Sequence, residues 1–169
     1  MGQMTRLHTA YLTGRQLRVW DLMRTGLSQS EIARTLNITR QAVNQLSQRI
    51  PERVAAALND ASKLNHVEPR YIDSSKGILL GWSRDFETEA VITLTPEIGL
   101  RIWYRHNLGR CNICPDRRQC RSMLLKSADD LGVALSGQEK GLPPSKLSSV
   151  VFSRALAPDQ RKSGVGSNQ

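Results

Sequence analysis

The sequence predicts a mainly α-helical protein in which an N-terminal helix-turn-helix bundle of three or four helices precedes a small α+β domain. Three observations predict this class. Residues 29–48 fill the positions of a helix-turn-helix, two short runs rich in Ile, Leu, Val and Thr follow later, and all three cysteines lie within residues 111–120. The first observation predicts the bundle, and the other two predict a β-hairpin and a cysteine metal loop.

These features divide the 169 residues into three expected parts. Residues 1–66 form the helix-turn-helix domain, and residues 67–135 form the small α+β domain, with the β-hairpin, helices and the cysteine metal loop. Residues 136–169 are expected to be a largely disordered basic tail, because Gly, Pro, Ser and charged residues dominate them.

The first two helices begin at capping boxes. Thr13 with Gln16 and Ser28 with Glu31 have the spacing at which a hydroxyl and a longer polar side chain satisfy each other's backbone N–H groups. Thr39 caps a third helix, which runs to about residue 49. A fourth helix is predicted from Pro51 onward because apolar residues recur at helical spacing. These residues are Val54, Leu58, Ala61 and Leu64.

The helix-turn-helix pattern depends on residue size and backbone preference at fixed positions. The second helix must cross closely at a small residue, which is Ala33, and the sharp turn requires a left-handed residue, which Asn37 tolerates. Five further positions must be apolar and face inward. They are Ile32, Leu36, Ile38, Val43 and Leu46.

The third helix then has an outward face that suits contact with base edges. Arginine pairs bidentately with guanine, and asparagine and glutamine pair in the same way with adenine. We also expect Ser28 and Thr39, with the helix N-termini, to hold phosphates. The outward residues of the third helix are Arg40, Gln41, Asn44, Gln45, Gln48 and Arg49.

The stretch LTGRQLRVWDLMRTGLSQSEIARTLNITRQAV resembles the helix-turn-helix of LuxR-type regulators and of region 4 of sigma factors. It is most similar to the archaeal Tfx-type DNA-binding proteins, in which this module is N-terminal and a small second domain follows. The resemblance covers roughly residues 11–58, and the later sequence does not match the second Tfx domain. It implies a transcription regulator that binds double-stranded DNA, but the dimer geometry and ligand of Tfx are not carried over. A homodimer is expected because this motif commonly forms one, and RNA polymerase or basal transcription factors are further expected partners.

The charge of the chain agrees with a polyanionic partner. The formal net charge is +9 and the isoelectric point is about 10.1. No stretch of 18 apolar residues and no signal-peptide pattern at Met1 occurs in the sequence. We therefore expect a soluble, cytoplasmic protein without a membrane partner.

The expected second domain opens with a loop at residues 67–75. The runs KGILLGWS and ETEAVITL predict a β-hairpin. Thr95 followed by Pro96 predicts a helix that carries Ile98, Ile102 and Trp103. The segment RSMLLKSADDLGVAL predicts a last helix, and SVVFSRAL, within the tail, predicts an edge strand or a short helix.

The cysteines are spaced C-x2-C-x5-C, and this spacing allows thiolates to converge on a metal. Cys111, Cys114 and Cys120 with His106 would supply the four ligands of tetrahedral Zn²⁺. The spacing also resembles that of the last three ligands of the [4Fe-4S] loop in base-excision DNA glycosylases. The first cysteine of that loop has no counterpart in this chain, which has Tyr104 at the matching position. An iron–sulfur cluster is favoured over zinc, and reduced surface thiols are the third interpretation.

The sequence thus predicts a sequence-specific DNA-binding transcriptional regulator, with a metal centre for redox or iron sensing or for stability. One alternative is a structural zinc protein that binds RNA polymerase or another protein. A further alternative is a DNA-processing enzyme that uses the helix-turn-helix for targeting. We expect no enzymatic activity, because no paired carboxylates or nucleophile motif is evident in the sequence.

Overall fold

In the computed structural model, residues 10–105 and 110–157 are described, and their helices cover both faces of one four-stranded antiparallel sheet. The predicted mainly α class is therefore wrong: the protein is α+β, with about 52% helix and four strands in a single sheet. None of the helices in the described residues has the length and apolarity needed to cross a bilayer.

The helical bundle forms where the sequence predicts it. Both predicted capping boxes are present at Thr13 and Ser28, and Asn37 adopts the expected left-handed conformation, with φ 52° and ψ 48°. Local side-chain chemistry therefore determines where these helices begin and where the chain turns. The four helices are α1 (Gly14–Arg24), α2 (Gln29–Leu36), α3 (Arg40–Gln48) and α4 (Ile50–Leu64).

The sheet is a simple meander in the order β1-β2-β3-β4. The predicted hairpin is confirmed as β2 and β3, which pair from Ile78 with Thr93 to Ser83 with Thr88. The loop expected at residues 67–75 is mostly strand β1 instead. The strands are β1 (Val67–Asp73), β2 (Ile78–Ser83), β3 (Thr88–Thr95) and β4 (Gly99–Tyr104).

The prediction of a helix after Thr95 and Pro96 is also wrong, because the chain reverses direction there and forms β4. Gly99 begins this strand with φ 79°, in the left-handed region that favours glycine, and it pairs with Thr95. Ile102 and Trp103, expected on one helix, instead lie on opposite faces of the sheet, since neighbouring strand residues alternate.

The C-terminal third of the described chain is helical. The helix predicted over residues 121–135 is observed as α5 (Arg117–Asp130), which begins and ends earlier than predicted. It is not the last helix, because α6 (Gly137–Lys140) and α7 (Pro144–Leu156) follow it. The prediction of disorder is wrong for these two elements, because α7 buries an apolar stripe against α5 and the sheet. Residues 158–169 of the predicted tail lie outside the described residues. The buried stripe of α7 consists of Leu147, Val151, Phe152 and Ala155.

Both faces of the sheet are covered, by different helices. Leu79 and Ile92 point toward the helix-turn-helix and α4, whereas Ile78 and Val91 point toward α5 and α7. The domain boundary predicted after His66 falls between α4 and β1. The apolar core between the helix-turn-helix, α4 and the sheet nevertheless continues across this boundary, so the helical bundle and the sheet share apolar contacts.

Polar contacts also link α1 to the opposite layer through the turn between β1 and β2. Arg24 of α1 donates from Nη1 to the carbonyl of Lys76 at 2.7 Å and from Nη2 to the carbonyl of Asp130. The Nζ of Lys76 donates to the carbonyls of Ala155 and Ala157, at 3.2 and 2.9 Å, where α7 ends. The β1–β2 turn therefore connects the helical bundle with α5 and α7, and we call this set of contacts the turn bracket.

The shared core predicts how substitutions in α4 affect stability. Leu58 is 0% exposed between the bundle and the sheet, whereas Leu64 on the same helix is 82% exposed. Leu58→Ala should lower the free energy of unfolding by about 2–5 kcal/mol, because it leaves a cavity. Leu64→Ala should change it by less than about 0.5 kcal/mol. Urea denaturation measures both, and equal effects would contradict the shared core.

A second prediction concerns Gly77 in the β1–β2 turn. Its φ is 69°, and a Cβ placed there would lie 2.0 Å from the carbonyl oxygen of Leu94. Gly132 has nearly the same φ, 68°, but an added Cβ meets nothing within 4 Å. Gly132→Ala should therefore cost only the left-handed backbone penalty of about 1–2 kcal/mol. Gly77→Ala should destabilise clearly more, and a thermal unfolding series in which the two variants matched would refute the close approach to Leu94.

Candidate nucleic-acid interface

The predicted reading face of α3 is open to solvent among the described residues. Val43 is buried and Leu46 is half-buried, and α3 packs through this side against α1, α2 and α4. The opposite side is free, as the amphipathic sequence of α3 requires. All six predicted base-contacting side chains are exposed: Arg40, Gln41, Asn44, Gln45, Gln48 and Arg49.

One of these side chains already has a partner within the protein. The Oδ1 of Asn44 accepts a hydrogen bond from the Nε2 of Gln29 in α2, at 3.3 Å. A bidentate contact of Asn44 with adenine uses both the oxygen and the nitrogen of the amide, so it requires the bond to Gln29 to break. Arg40 and Gln41 at the start of α3 have no such competing bond in the described residues.

The two predicted phosphate-contacting hydroxyls differ in their surroundings. Thr39 Oγ1 accepts from the backbone N–H of Ala42, at 3.1 Å, and its own proton remains available. Ser28 Oγ accepts from the backbone N–H of Glu31 and donates to the Glu31 carboxylate, at 2.6 Å. Because this carboxylate carries negative charge at the start of α2, Thr39 is the better phosphate contact of the two.

A cleft of about 720 Å³ lies beside α3, where α1 begins and α4 passes. Arg15, Arg49 and Arg53 line it, and none of the described residues lining it is acidic. Arg53 is held in place, since its Nη1 donates to the carbonyl of Tyr11 at 2.8 Å. Three guanidinium groups without a compensating carboxylate make this cleft a favourable position for a phosphate backbone. We call it the arginine cleft.

The sequence pattern of α3 predicts Arg49, whereas no sequence pattern predicts Arg15 or Arg53. These two belong to α1 and α4, and they reach the edge of α3 only because the bundle brings those helices together. The local pattern of α1 gives no indication of this position. A basic residue in the first turn after a helix cap, as Arg15 is two positions after Thr13, is a weak signal for such a position.

The cysteine segment does not form the expected metal loop in the described residues. Cys114 is exposed, and Cys111 and Cys120 are half-buried, with Cys120 in the first turn of α5. Among the described residues, no group of three or more His, Cys, Asp or Glu side chains is arranged to hold a metal ion. Burial raises the pKa of the Cys120 thiol above its ordinary value.

The fourth ligand predicted for this loop, His106, lies outside the described residues. A four-ligand zinc site or an iron–sulfur cluster therefore stays a prediction from the cysteine spacing. The prediction of a cysteine metal loop as an element of the fold is wrong, because Cys111 and Cys114 lie in a segment of turns that leads into α5.

No family model matches this chain, and no curated protein and no solved structure matches it either. The resemblance to helix-turn-helix regulators therefore stays an expectation from residues 11–58. The geometry of α2, the left-handed turn and α3 is the structural observation that agrees with it.

The cap of α2 predicts a pH-dependent signal close to the candidate interface. The side-chain and backbone hydrogen bonds from Ser28 hold the pKa of Glu31 below its ordinary value. Ser28→Ala should therefore raise the pKa of Glu31 toward that value, and Ser30→Ala, an exposed neighbour in α2, should not. Carboxyl NMR titration measures both.

The sign of the pH effect follows from the lowered pKa. The ionised carboxylate of Glu31 stabilises the start of α2 above the pKa of the unfolded chain, and this contribution is lost as pH falls through the lower pKa of the folded state. An identical Glu31 midpoint in the wild-type protein and in Ser28→Ala would show that the capping box does not form in solution.

Proposed function

We propose that this protein binds double-stranded DNA through α3 and regulates transcription in a sequence-specific manner. The observation that carries the proposal is the exposure of the whole outward face of α3, although one face of the sheet packs closely on the bundle. In helix-turn-helix proteins the second motif helix enters the major groove, and its N-terminal residues contact base edges. Arg40 and Gln41 occupy that position here.

The arginine cleft supports the same function. A helix that enters the groove places its flanks near the phosphates on either side. Arg15, Arg49 and Arg53 would meet the phosphate backbone there, and Thr39 would add a hydroxyl donor at the start of α3. Base contacts and phosphate contacts thus come from neighbouring but separate residues, which allows experiments to distinguish them.

The proposal describes a binding protein and not an enzyme. One α3 reads only a short stretch of duplex, and proteins of this kind commonly use two copies that bind half-sites about one helical turn, roughly 34 Å, apart. A homodimer is therefore the expected form on DNA. Such a protein acts where chromosomal DNA is accessible, which is the cytoplasm in archaea and bacteria.

The test begins with selection of preferred duplexes from a random pool. Arg40→Ala and Gln41→Ala should each remove about 1–3 kcal/mol of discrimination at one base pair, with little change in binding to random duplex. Arg15→Ala should weaken binding to all duplexes alike and lower the slope of log affinity against log salt by about 1. Arg84→Ala, an exposed arginine next to the β2–β3 turn, is the matched control and should change neither quantity.

Two outcomes would overturn the proposal in different ways. Unchanged base preference in both α3 variants would show that another surface reads the sequence. Binding that does not weaken with salt, or no binding to duplex DNA, would favour the alternative in which the bundle contacts RNA polymerase or another protein.

A further inference from the structure

Strand β4 is an edge of the sheet, and no strand of the described residues pairs with its outer side. The sheet order is β1-β2-β3-β4, so the other edge is β1. The edge of β1 is interrupted, because it contains Pro69 and its register shifts between Pro69 and Tyr71. Strand β4 instead pairs with β3 in one unbroken register from Gly99 to Tyr104 and contains no proline. Proteins commonly protect an edge with a proline or a bulge, so β4 is the edge that remains open to another strand.

The direction of the backbone groups in β4 follows from a bond at its end. The N–H of Arg105 donates to the carbonyl of Glu89 at 2.9 Å, so the backbone groups of Arg105 point toward β3. In an antiparallel strand these groups change direction from one residue to the next. The backbone groups of Arg101 and Trp103 therefore also point toward β3. Those of three residues point outward, away from β3: Leu100, Ile102 and Tyr104.

The side chains of these three outward residues form an apolar row. They all lie on the face of the sheet that carries the helix-turn-helix, where each is partly buried against the core. Phe86 extends the row, since its ring centroid lies 4.6 Å from that of Tyr104 and 63% of the residue is exposed. Open backbone groups beside apolar side chains favour an added strand over water. We call the outward groups and side chains of Leu100, Ile102 and Tyr104 the β4 edge.

We propose that the β4 edges of two copies of this chain pair antiparallel and join their sheets into one continuous sheet. The register centred on Ile102 uses the outward groups of all three residues. In this register Ile102 faces Ile102 of the second copy, and Leu100 faces Tyr104 of the second copy. The β4 edge is thus complementary to itself, as a two-fold interface between identical chains requires.

The opposite face of β4 agrees with the same register. Arg101 lies there opposite Trp103 of the second copy, and a guanidinium beside an indole ring is a favourable pair. A register centred on Arg101 would instead place two arginines directly opposite each other, which is destabilising. That register would also leave part of the β4 edge unpaired.

Antiparallel pairing determines where the two bundles lie. Residues that face each other across antiparallel strands lie on the same face of the sheet, so the two-fold axis is perpendicular to the sheet. Both helix-turn-helix layers are therefore on the same side of the joined sheet, and both α3 helices are presented toward that side. The use of this arrangement on one duplex rests on the proposed function, whereas the pairing itself does not.

Sedimentation equilibrium of the full chain without DNA measures the pairing. The wild-type protein should have twice the chain mass of 18.9 kDa. Ile102→Lys and Ile102→Glu should each raise the dissociation constant of the dimer about tenfold or more, because like charges then meet at the two-fold axis. An equimolar mixture of the two variants should restore the dimer, since opposite charges then meet. Leu64→Lys, at an 82% exposed position of α4, is the matched control and should leave the dimer unchanged.

Amide hydrogen exchange of the wild-type protein tests the pairing without a substitution. In the dimer the outward N–H groups of Leu100, Ile102 and Tyr104 should be protected, and dilution to the monomer should accelerate their exchange about tenfold or more. The N–H groups of Arg101 and Trp103, which point toward β3, should be protected at both concentrations.

The proposal fails if the wild-type protein is a monomer at its highest soluble concentration, or if the three outward amides exchange equally fast in dimer and monomer. It also fails if folded Ile102→Lys remains a dimer, or if mixing the two folded variants restores nothing. Should either variant not fold, the exchange of the wild-type protein still decides the question. Failure of the proposed function is distinct: a dimer with this exchange pattern that binds no duplex would overturn the proposed function alone.

Discussion

The sheet has apolar residues on both faces, and this constraint determines where the helices lie. In β2 the neighbouring residues Ile78 and Leu79 are both fully buried, although they point to opposite sides. A sheet of this kind must be covered twice, because exposing either face to water would forfeit about 25 cal/mol for each Å² of apolar surface. The helix-turn-helix and α4 cover one face, and α5 and α7 cover the other. The bundle is thus one of the two layers that the sheet requires.

This arrangement explains how α3 can be both fixed and exposed. It is α4 that packs most extensively on the sheet, through residues such as Leu58, while α3 lies one layer further out. Val43 is the buried residue that anchors α3 inside the bundle, and the outer side of α3 takes no part in the core. A pocket of about 130 Å³ lies on the other face of the sheet. There the small side chains of Ser148 and Ser149 in α7 leave space beside Trp103.

The elements that the sequence predicts correctly are those determined by neighbours in the chain. Thr13, Ser28 and Asn37 act through backbone groups within a few residues, and the short apolar runs of β2 and β3 pair as a local hairpin. Strand β1 is different. Pro69 and the polar residues around it resemble a loop, yet an edge strand tolerates proline, and pairing with β2 decides its conformation.

The remaining errors have the same origin in distant contacts. Thr95 and Pro96 have the local pattern of a helix start, but Gly99 allows the chain to reverse direction. The pairing of β4 with β3 then outweighs the local preference for a helix. In α7 the frequent serines make the sequence look polar, although its apolar residues form a stripe that packs against α5 and the sheet. For the candidate interface, the α3 residues follow from a local pattern. The arginine cleft depends on the packing of three helices, which no local pattern encodes.

The turn bracket has a consequence for any assembly of two chains. Arg24 and Lys76 tie the bundle to α5 and α7 through backbone carbonyls, and the shared core reinforces this connection. These contacts restrict movement between the layer that carries α3 and the rest of the described chain. Two copies joined through their sheet layers would therefore hold their two α3 helices at one fixed separation. Duplexes with a different distance between half-sites would then engage only one copy.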